Sequence, residues 1–387
     1  MAVNHFYFDH NASTPLAEEV SQLYATVLGE AYGNASSIHH FGQKAKGRLD
    51  RGREQLAWFL NCDPKEIVFT SGGTEANNLA LFGLLRRDGP AGRHVITTEI
   101  EHPAVLNACH RLEREGAEVA YLPVGSSGAV DPGDVRAALR PETALITVMH
   151  VNNETGVIQP IDEIAAIARE AEVPFHCDGV QAAGKLPMGN LPPEADFYAI
   201  SGHKLYGPKG IGALYVRSGA KFDPILFGGR QERGRRPGTP NAPAAAAFGL
   251  AAKLARKAVR KESGRLAELR DRLEQSILDR IPGCTVNGSA PRVPNTANIR
   301  FDGIGGEAML IALDLKGYAA ATGSACSSGS VEPSHVLTAM GLTKDGARSS
   351  LRFSLGRSND AAQVDGLIEA VVAAAAHLRK VSPVAHV

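Results

Sequence analysis

Two short segments carry residue types that can do chemistry together. Ser201-Gly202-His203-Lys204 sets a lysine beside a histidine, a glycine and a serine, directly after the apolar run Phe197-Tyr198-Ala199-Ile200. Upstream, Phe175-His176-Cys177-Asp178 ends another such run on an aspartate. A lysine that forms a Schiff base and an acid that pairs with a pyridinium nitrogen are the two protein groups that pyridoxal phosphate demands. Gln181 adds a donor for that ring's phenolic oxygen. A Schiff-base lysine must be partly desolvated to be neutral and nucleophilic, and the turn Leu205 to Gly210 is placed to hold it. Each residue also has a plainer reading, Lys204 as an exposed lysine and Asp178 as a turn cap.

Other segments offer partners for the same chemistry. Thr70-Ser71-Gly72-Gly73-Thr74-Glu75-Ala76-Asn77 follows an apolar run and opens a helical pattern. Gly73 lets the backbone curl, free N–H groups at a helix start favour a phosphate, and Thr74 adds a hydroxyl. A simple helix cap looks the same, and the segment lacks the Gly-Lys-Ser/Thr ending of a P-loop. Ser201 and His203 are further phosphate donors. His102, in Glu101-His102-Pro103, can stack on an aromatic ring and exchange protons near neutral pH. His39, His40 and His150 show no metal-ligand spacing. Arg352, on the alternating stretch Ser350 to Leu355, is a rigid clamp for a carboxylate; the competing reading is a structural ion pair. Cys326 lies among small residues from Ala319 to Ser330, where nothing local can bury its thiol. Cys62, Cys109, Cys177 and Cys284 sit in or beside apolar segments and read as structural.

The surrounding pattern must position these groups. Apolar runs at 67–70, 94–98, 119–122, 144–149, 173–177, 197–200 and 212–216 alternate with helical patterns such as Asp162 to Ala171. That alternation predicts an α/β unit with a mostly parallel sheet, and ligands gather at the carboxyl ends of such strands. Thr74, His102, Asn153, Asp178 and Lys204 all follow strands. Near residue 240 the composition changes. A helix over 244–279 is predicted, then shorter strands at 296–301 and 351–354, a second and smaller α+β unit. Gly228 to Gly238 reads as a flexible basic loop. The 387 residues exceed one simple core. Lys+Arg and Asp+Glu are both 41, so no charge excess draws the chain to nucleic acid or an anionic membrane. The apolar run 370–376 is far short of the ~20 residues of a spanning helix. No secretory signal pattern opens the chain, and five scattered cysteines point to a reducing cytoplasm.

Together these stretches resemble the cysteine desulfurases, class V aminotransferase enzymes of pyridoxal phosphate fold type I. The match is carried by Tyr7 to Pro15, Gly33 to Ser37, Ser71 to Asn78, Met149 to Gly156, Ser201 to Gly212, Gln231 to Gly234, Gly323 to His335 and Ser350 to Arg357. The Cys326 loop and the Val331 to His335 segment after it look like the NifS/IscS-like branch. The resemblance implies a large cofactor-binding domain over 13–257 with a seven-stranded sheet. It implies a small α+β domain from 1–12 and 258–387. It also implies a homodimer, with L-cysteine converted to L-alanine and sulfur passed to an iron–sulfur scaffold or another acceptor protein; a selenocysteine lyase or another class V enzyme is the alternative. By the same resemblance Lys204 carries the cofactor. Gly73, Thr74, Ser201 and His203 hold its phosphate, helped by Thr239 of a second subunit. Asp178 meets its ring nitrogen, Gln181 its phenolic oxygen, and His102 its face. Asn153, Asn34 and Arg352 meet the substrate, Cys326 accepts the sulfur, and no metal is implied. Gly179 stands where the family commonly has Ala, which predicts a looser turn under Gln181.

Overall fold

The computed structural model describes residues 4–87, 89, 91–187, 194–289, 291–323 and 332–381. In chain order its strands are β1 (Phe6–Tyr7), β2 (Ile67–Thr70), β3 (His94–Thr98), β4 (Glu118–Leu122), β5 (Thr143–Thr147) and β6 (Phe175–Asp178). They continue with β7 (Phe197–Ser201), β8 (Gly212–Val216), β9 (Cys284–Val286), β10 (Thr296–Phe301), β11 (Tyr318–Ala319) and β12 (Ser350–Ser354). Seven of them form one sheet in the order β2-β8-β7-β6-β5-β3-β4. The pairs from β7 through β4 are parallel, and β8 runs against both β2 and β7. The predicted mostly parallel seven-stranded α/β sheet is therefore present. Strands β2, β3, β6, β7 and β8 are buried along their whole length, which explains why they read as continuous apolar runs rather than alternating ones.

Helices cover both faces. Gly73–Arg87 and Pro103–Arg114 pack on one side, where Val68, Leu79, Leu112 and Leu214 share a core. Ile161–Glu170 and His40–Leu60 lie on the other, with Leu56, Ile146, Ile164 and Phe248. The long helix spans Ala242–Arg280, a little beyond the predicted 244–279. Its alanine-rich first half crosses His40–Leu60 so closely that a Cβ on Gly52 would sit 2.3 Å from the Ala245 carbonyl oxygen, and one on Gly249 would be 2.6 Å from Gly52. Only hydrogen fits there. Its second half presents Leu266, Leu273 and Ile277 to a separate core with Phe8, Phe301, Phe353, Leu367 and Val371. The antiparallel sheet β12-β10-β9 and the β1–β11 pair belong to that second region. The closing helix, Ala361–Val381, is long and apolar enough to cross a membrane by length and composition; Val364, Leu367, Ile368 and Val371 on it are buried in this core.

The basic loop departs from expectation. Gln231–Gly234 is a short turn in which Glu232 and Arg233 have φ of 48° and 58°. It is pinned rather than flexible. Arg53 Nη1 and Nη2 donate to the two Glu232 carboxylate oxygens at 2.9 and 2.5 Å, and Phe69 N donates to Oε2 at 3.1 Å. The guanidinium lies 4.7 Å from the Phe69 ring centroid. Arg236 grips Glu75 at 2.7 and 3.2 Å. Breaking a buried pair leaves an uncompensated charge. Arg53→Met is expected to lower unfolding free energy by about 3–5 kcal/mol in chemical denaturation; a loss below about 1 kcal/mol would mean that the pair does not hold the loop.

Candidate functional site

Parallel pairing of β6 with β7 sets Asp178 opposite Ala199, so the turns that follow these two strands open side by side. Asp178 is 5% exposed and ends β6 as an acceptor. Asn77 Nδ2 donates to Oδ2 at 2.7 Å, and Val180 N to Oδ1 at 3.0 Å. The turn after it is tight, contrary to the sequence expectation. Ala182 N and Ala183 N both donate to Gly179 O at 3.0 Å. A Cβ on Gly179 would fall 1.9 Å from the Tyr198 ring, and Tyr198 is fixed by its hydroxyl 3.0 Å from His150 Nδ1. The missing methyl is filled by a tyrosine.

Lys204 lies in the short turn Gly202–Lys204 that follows β7. Its Nζ donates to Asn11 O and, at 2.8 Å, to Ala12 O. Gln181 Nε2 donates to the same Asn11 O at 2.9 Å. The Asn11 side chain is equally occupied. Its Nδ2 donates to Asn153 O at 3.1 Å and Thr296 Oγ1 at 2.9 Å, and its Oδ1 accepts from Lys185 Nζ at 2.6 Å and Asn295 Nδ2 at 3.1 Å. Lys185 Nζ also donates to Gln181 Oε1. Burial, then the nearby Arg352 charge, brings the Lys204 amine down to about 8. A substantial neutral fraction is then present near physiological pH, as a nucleophilic amine requires.

Arg352 is 5% exposed on β12. Its Nη2 donates to Asp9 Oδ1 at 2.7 Å and its Nη1 to Asn153 O at 2.9 Å, while its buried Nε has no partner among the described residues. The ion pair of the competing reading is thus present. Its backbone pairs with Ala321, which leads toward the Cys326 segment. Glu154 marks both sides of that segment. A Cβ on Gly323 would meet Glu154 Oε2, and Ser334 Oγ donates to the same oxygen at 2.5 Å. The next residue, His335, places Nε2 2.9 Å from Glu101 O, beside His102. Cys326 itself lies outside the described residues. His102 caps the helix Pro103–Arg114, its Nδ1 accepting from Ala104 N at 3.0 Å, so a neutral ring carries its proton on Nε2. Desolvation outweighs the pull of Asp178 and lowers its pKa.

The residues expected to hold a phosphate lie around the start of Gly73–Arg87. A Cβ on Gly73 would be 2.7 Å from Val180 and 3.6 Å from Ser201 Cβ, so the helix N-terminus, the Asp178 turn and the end of β7 converge. Thr74 is exposed there and Ser201 is buried. His203, adjacent to Lys204, is brought down to about 4 by burial and by Lys204 and Lys209. This donor set fits pyridoxal phosphate. A helix start with unpaired N–H groups suits the phosphate, a carboxylate that accepts on both oxygens suits a protonated ring nitrogen, and a lysine with a lowered pKa lies in the turn after β7.

Asn34 and Thr239 are exposed and make no hydrogen bond to this cluster among the described residues. Asn34 lies in an exposed loop, where its Oδ1 accepts from Ser36 N at 2.9 Å, and Thr239 is exposed after the pinned loop. Asn11, Asn77, Asp9, Glu154 and Lys185 are site residues to which sequence reasoning gave no role. Asn77 had a visible signal, a polar side chain one turn beyond Thr74 on the buried face. The four described cysteines are no source of a ready thiolate. Burial pushes Cys62 up to about 12 and Cys284 to about 11, and raises Cys109 and Cys177 as well.

Comparison with known proteins places the chain in a family. The model of the family Aminotransferase class-V matches residues 6–367. A cysteine desulfurase of Nostoc sp. is 48% identical over 382 residues, covering 97% of this chain and 94% of the relative. A solved NifS-like protein superposes with a TM-score of 0.91 at 32% identity, covering 97% of this chain and all of that one. A structure described as SspA in complex with cysteine has a TM-score of 0.78 at 37% identity, covering 90% and 98% of the two chains.

The lowered Lys204 amine has a direct consequence. Only the neutral amine attacks the cofactor aldehyde, so the rate at which cofactor-stripped protein rebinds pyridoxal phosphate should rise with pH through a midpoint near 8. Stopped-flow absorbance would follow it. A midpoint near the ordinary lysine value of 10.5 would contradict the desolvated amine.

Proposed function

The chain belongs to the class-V aminotransferase family, and from that premise we propose that it is a pyridoxal phosphate-dependent cysteine desulfurase. Its substrate is L-cysteine, its product L-alanine, and the sulfur leaves on Cys326 as a persulfide. The observation that carries this reading is the meeting of Lys204, Gln181 and, through the Asn153 carbonyl, Arg352 at Asn11, with Asp178 held separately by Asn77. It combines with near full-length similarity to proteins named cysteine desulfurase.

When bound, the cofactor supplies an electron sink next to the substrate's α-carbon. Lys204 would hold it, and its amine would move the proton at the substrate's Cα. Asp178, kept in place by Asn77 and Val180 N, keeps the ring nitrogen protonated. Gln181 would donate to the phenolic oxygen and His102 would cover the ring. Gly73, Thr74, Ser201 and His203 would take the phosphate, with Thr239 of a second subunit. Arg352 exchanges part of its Asp9 pairing for the substrate carboxylate, assisted by Asn34 and Asn153. The Cys326 thiolate attacks the substrate sulfur. The new S–S bond forms as the Cβ–S bond breaks, and the electron pair and a proton remain with the three-carbon product. Exposed Tyr32, Ile38, Phe41, Leu226 and Phe227 are apolar surface suited to a homodimer contact. A reducing cytoplasm suits an acceptor thiol that must be regenerated. The sulfur then passes to an iron–sulfur scaffold or another acceptor protein.

Lys204→Ala should lose both the borohydride-trappable cofactor and turnover, read by absorbance and by alanine release; normal turnover would overturn its role. Arg352→Leu should raise KM for L-cysteine at least tenfold, because a charge-assisted carboxylate contact contributes about 1.5–3 kcal/mol. An unchanged KM in steady-state kinetics would leave Arg352 only its structural ion pair with Asp9.

A further inference from the structure

Lys185 is a buried amine that the chemistry above leaves without a task. Its Nζ donates to Gln181 Oε1 and to Asn11 Oδ1 at 2.6 Å. The far ends of both amides fix that sense. Gln181 Nε2 donates to Asn11 O at 2.9 Å, and Asn11 Nδ2 donates to Asn153 O at 3.1 Å. Backbone carbonyls only accept, so each amide has a single orientation. One Gln181 N–H is spent on Asn11 O, and the other makes no hydrogen bond among the described residues.

We propose that Lys185 is a positioning residue for the cofactor ring: it holds the Gln181 oxygen on the side away from the ring, so that Gln181 offers an N–H to the phenolic oxygen. The inference rests on the role proposed above for Gln181. Without Lys185, Gln181 Oε1 would be buried with no donor, a penalty that rotation of the amide relieves. Rotation withdraws the N–H or sets a carbonyl against the phenolic oxygen. Lys204 and Arg352 are the cations facing Lys185; with burial they hold its own value far below an ordinary lysine's. His10 lies beside it, and Glu262 and Arg357 line the same small cavity.

The test is a pH titration of the visible absorbance of the cofactor-loaded protein. The proton that controls this absorbance is shared with the phenolic oxygen, so a donor to that oxygen weakens its binding. Lys185→Met is expected to raise the proton affinity about tenfold. In a Gln181→Ala background the same substitution should change it less than about twofold, because the amide being positioned is gone. A simple loss of positive charge would act equally in both backgrounds. If Lys185→Met does not fold, Lys185→Gln, a shorter polar side chain that no longer presents the Nζ donor to both amides, should also raise the affinity. An unmoved titration in the folded variant, or a change that persists without Gln181, overturns the role of Lys185. A parent protein that forms no reducible lysine-linked chromophore overturns the proposed function itself.

Discussion

Asn11 is the residue on which the site depends. Its carbonyl takes both the Lys204 ammonium and the Gln181 amide. Its side chain ties Asn153 and Lys185 on one side to Thr296 and Asn295 on the other, and its N–H donates to Ser354 Oγ at 2.9 Å. The strand ends of the seven-stranded sheet are thereby joined to β10 and β12 of the second core. Asn11 is 1% exposed, so every one of these groups must be satisfied by protein. A buried network of this kind allows one arrangement of its members, because reversing any amide would leave donors facing donors.

The same network concentrates charge. Lys204, Lys185 and Arg352 lie close enough to depress both lysines, and Asp9 and Asp178 are the carboxylates that answer them. Such a site is prepared for an anionic ligand, and a cofactor phosphate together with an amino acid carboxylate supplies those charges. Elsewhere, burial works in the opposite direction on the thiols. The four described cysteines are all raised, which leaves them protonated and poor nucleophiles near neutral pH.

What the sequence made legible was local. Asp178 and Lys204 stood out because each is a polar residue at the end of a strand whose apolar run is unmistakable, and β2, β3, β8 and β10 have the bounds expected of them. What escaped was set by distant partners. Gly228 to Gly238 read as a flexible basic loop because the partner of Glu232 is Arg53, far away in sequence on the helix His40–Leu60. Gly179 read as a loosened turn because Tyr198, which fills the vacated space, comes from the next strand. Asn11 and Lys185 carry no periodic or spacing signal; their roles exist only once Gln181, Asn153 and Asn295 converge on them.

Cys326 is the thiol to which the reading assigns the sulfur, and segments on both sides of it reach the site, through Ala321 on Arg352 and His335 on Glu101. The most direct measurement is a single turnover with sulfur-labelled L-cysteine, followed by peptide mapping of all five cysteines and a count of the alanine formed. The account predicts one alanine per labelled sulfur, with the label on the Cys326 peptide. Label on Cys62, Cys109, Cys177 or Cys284, or consumption of cysteine without alanine, would contradict it.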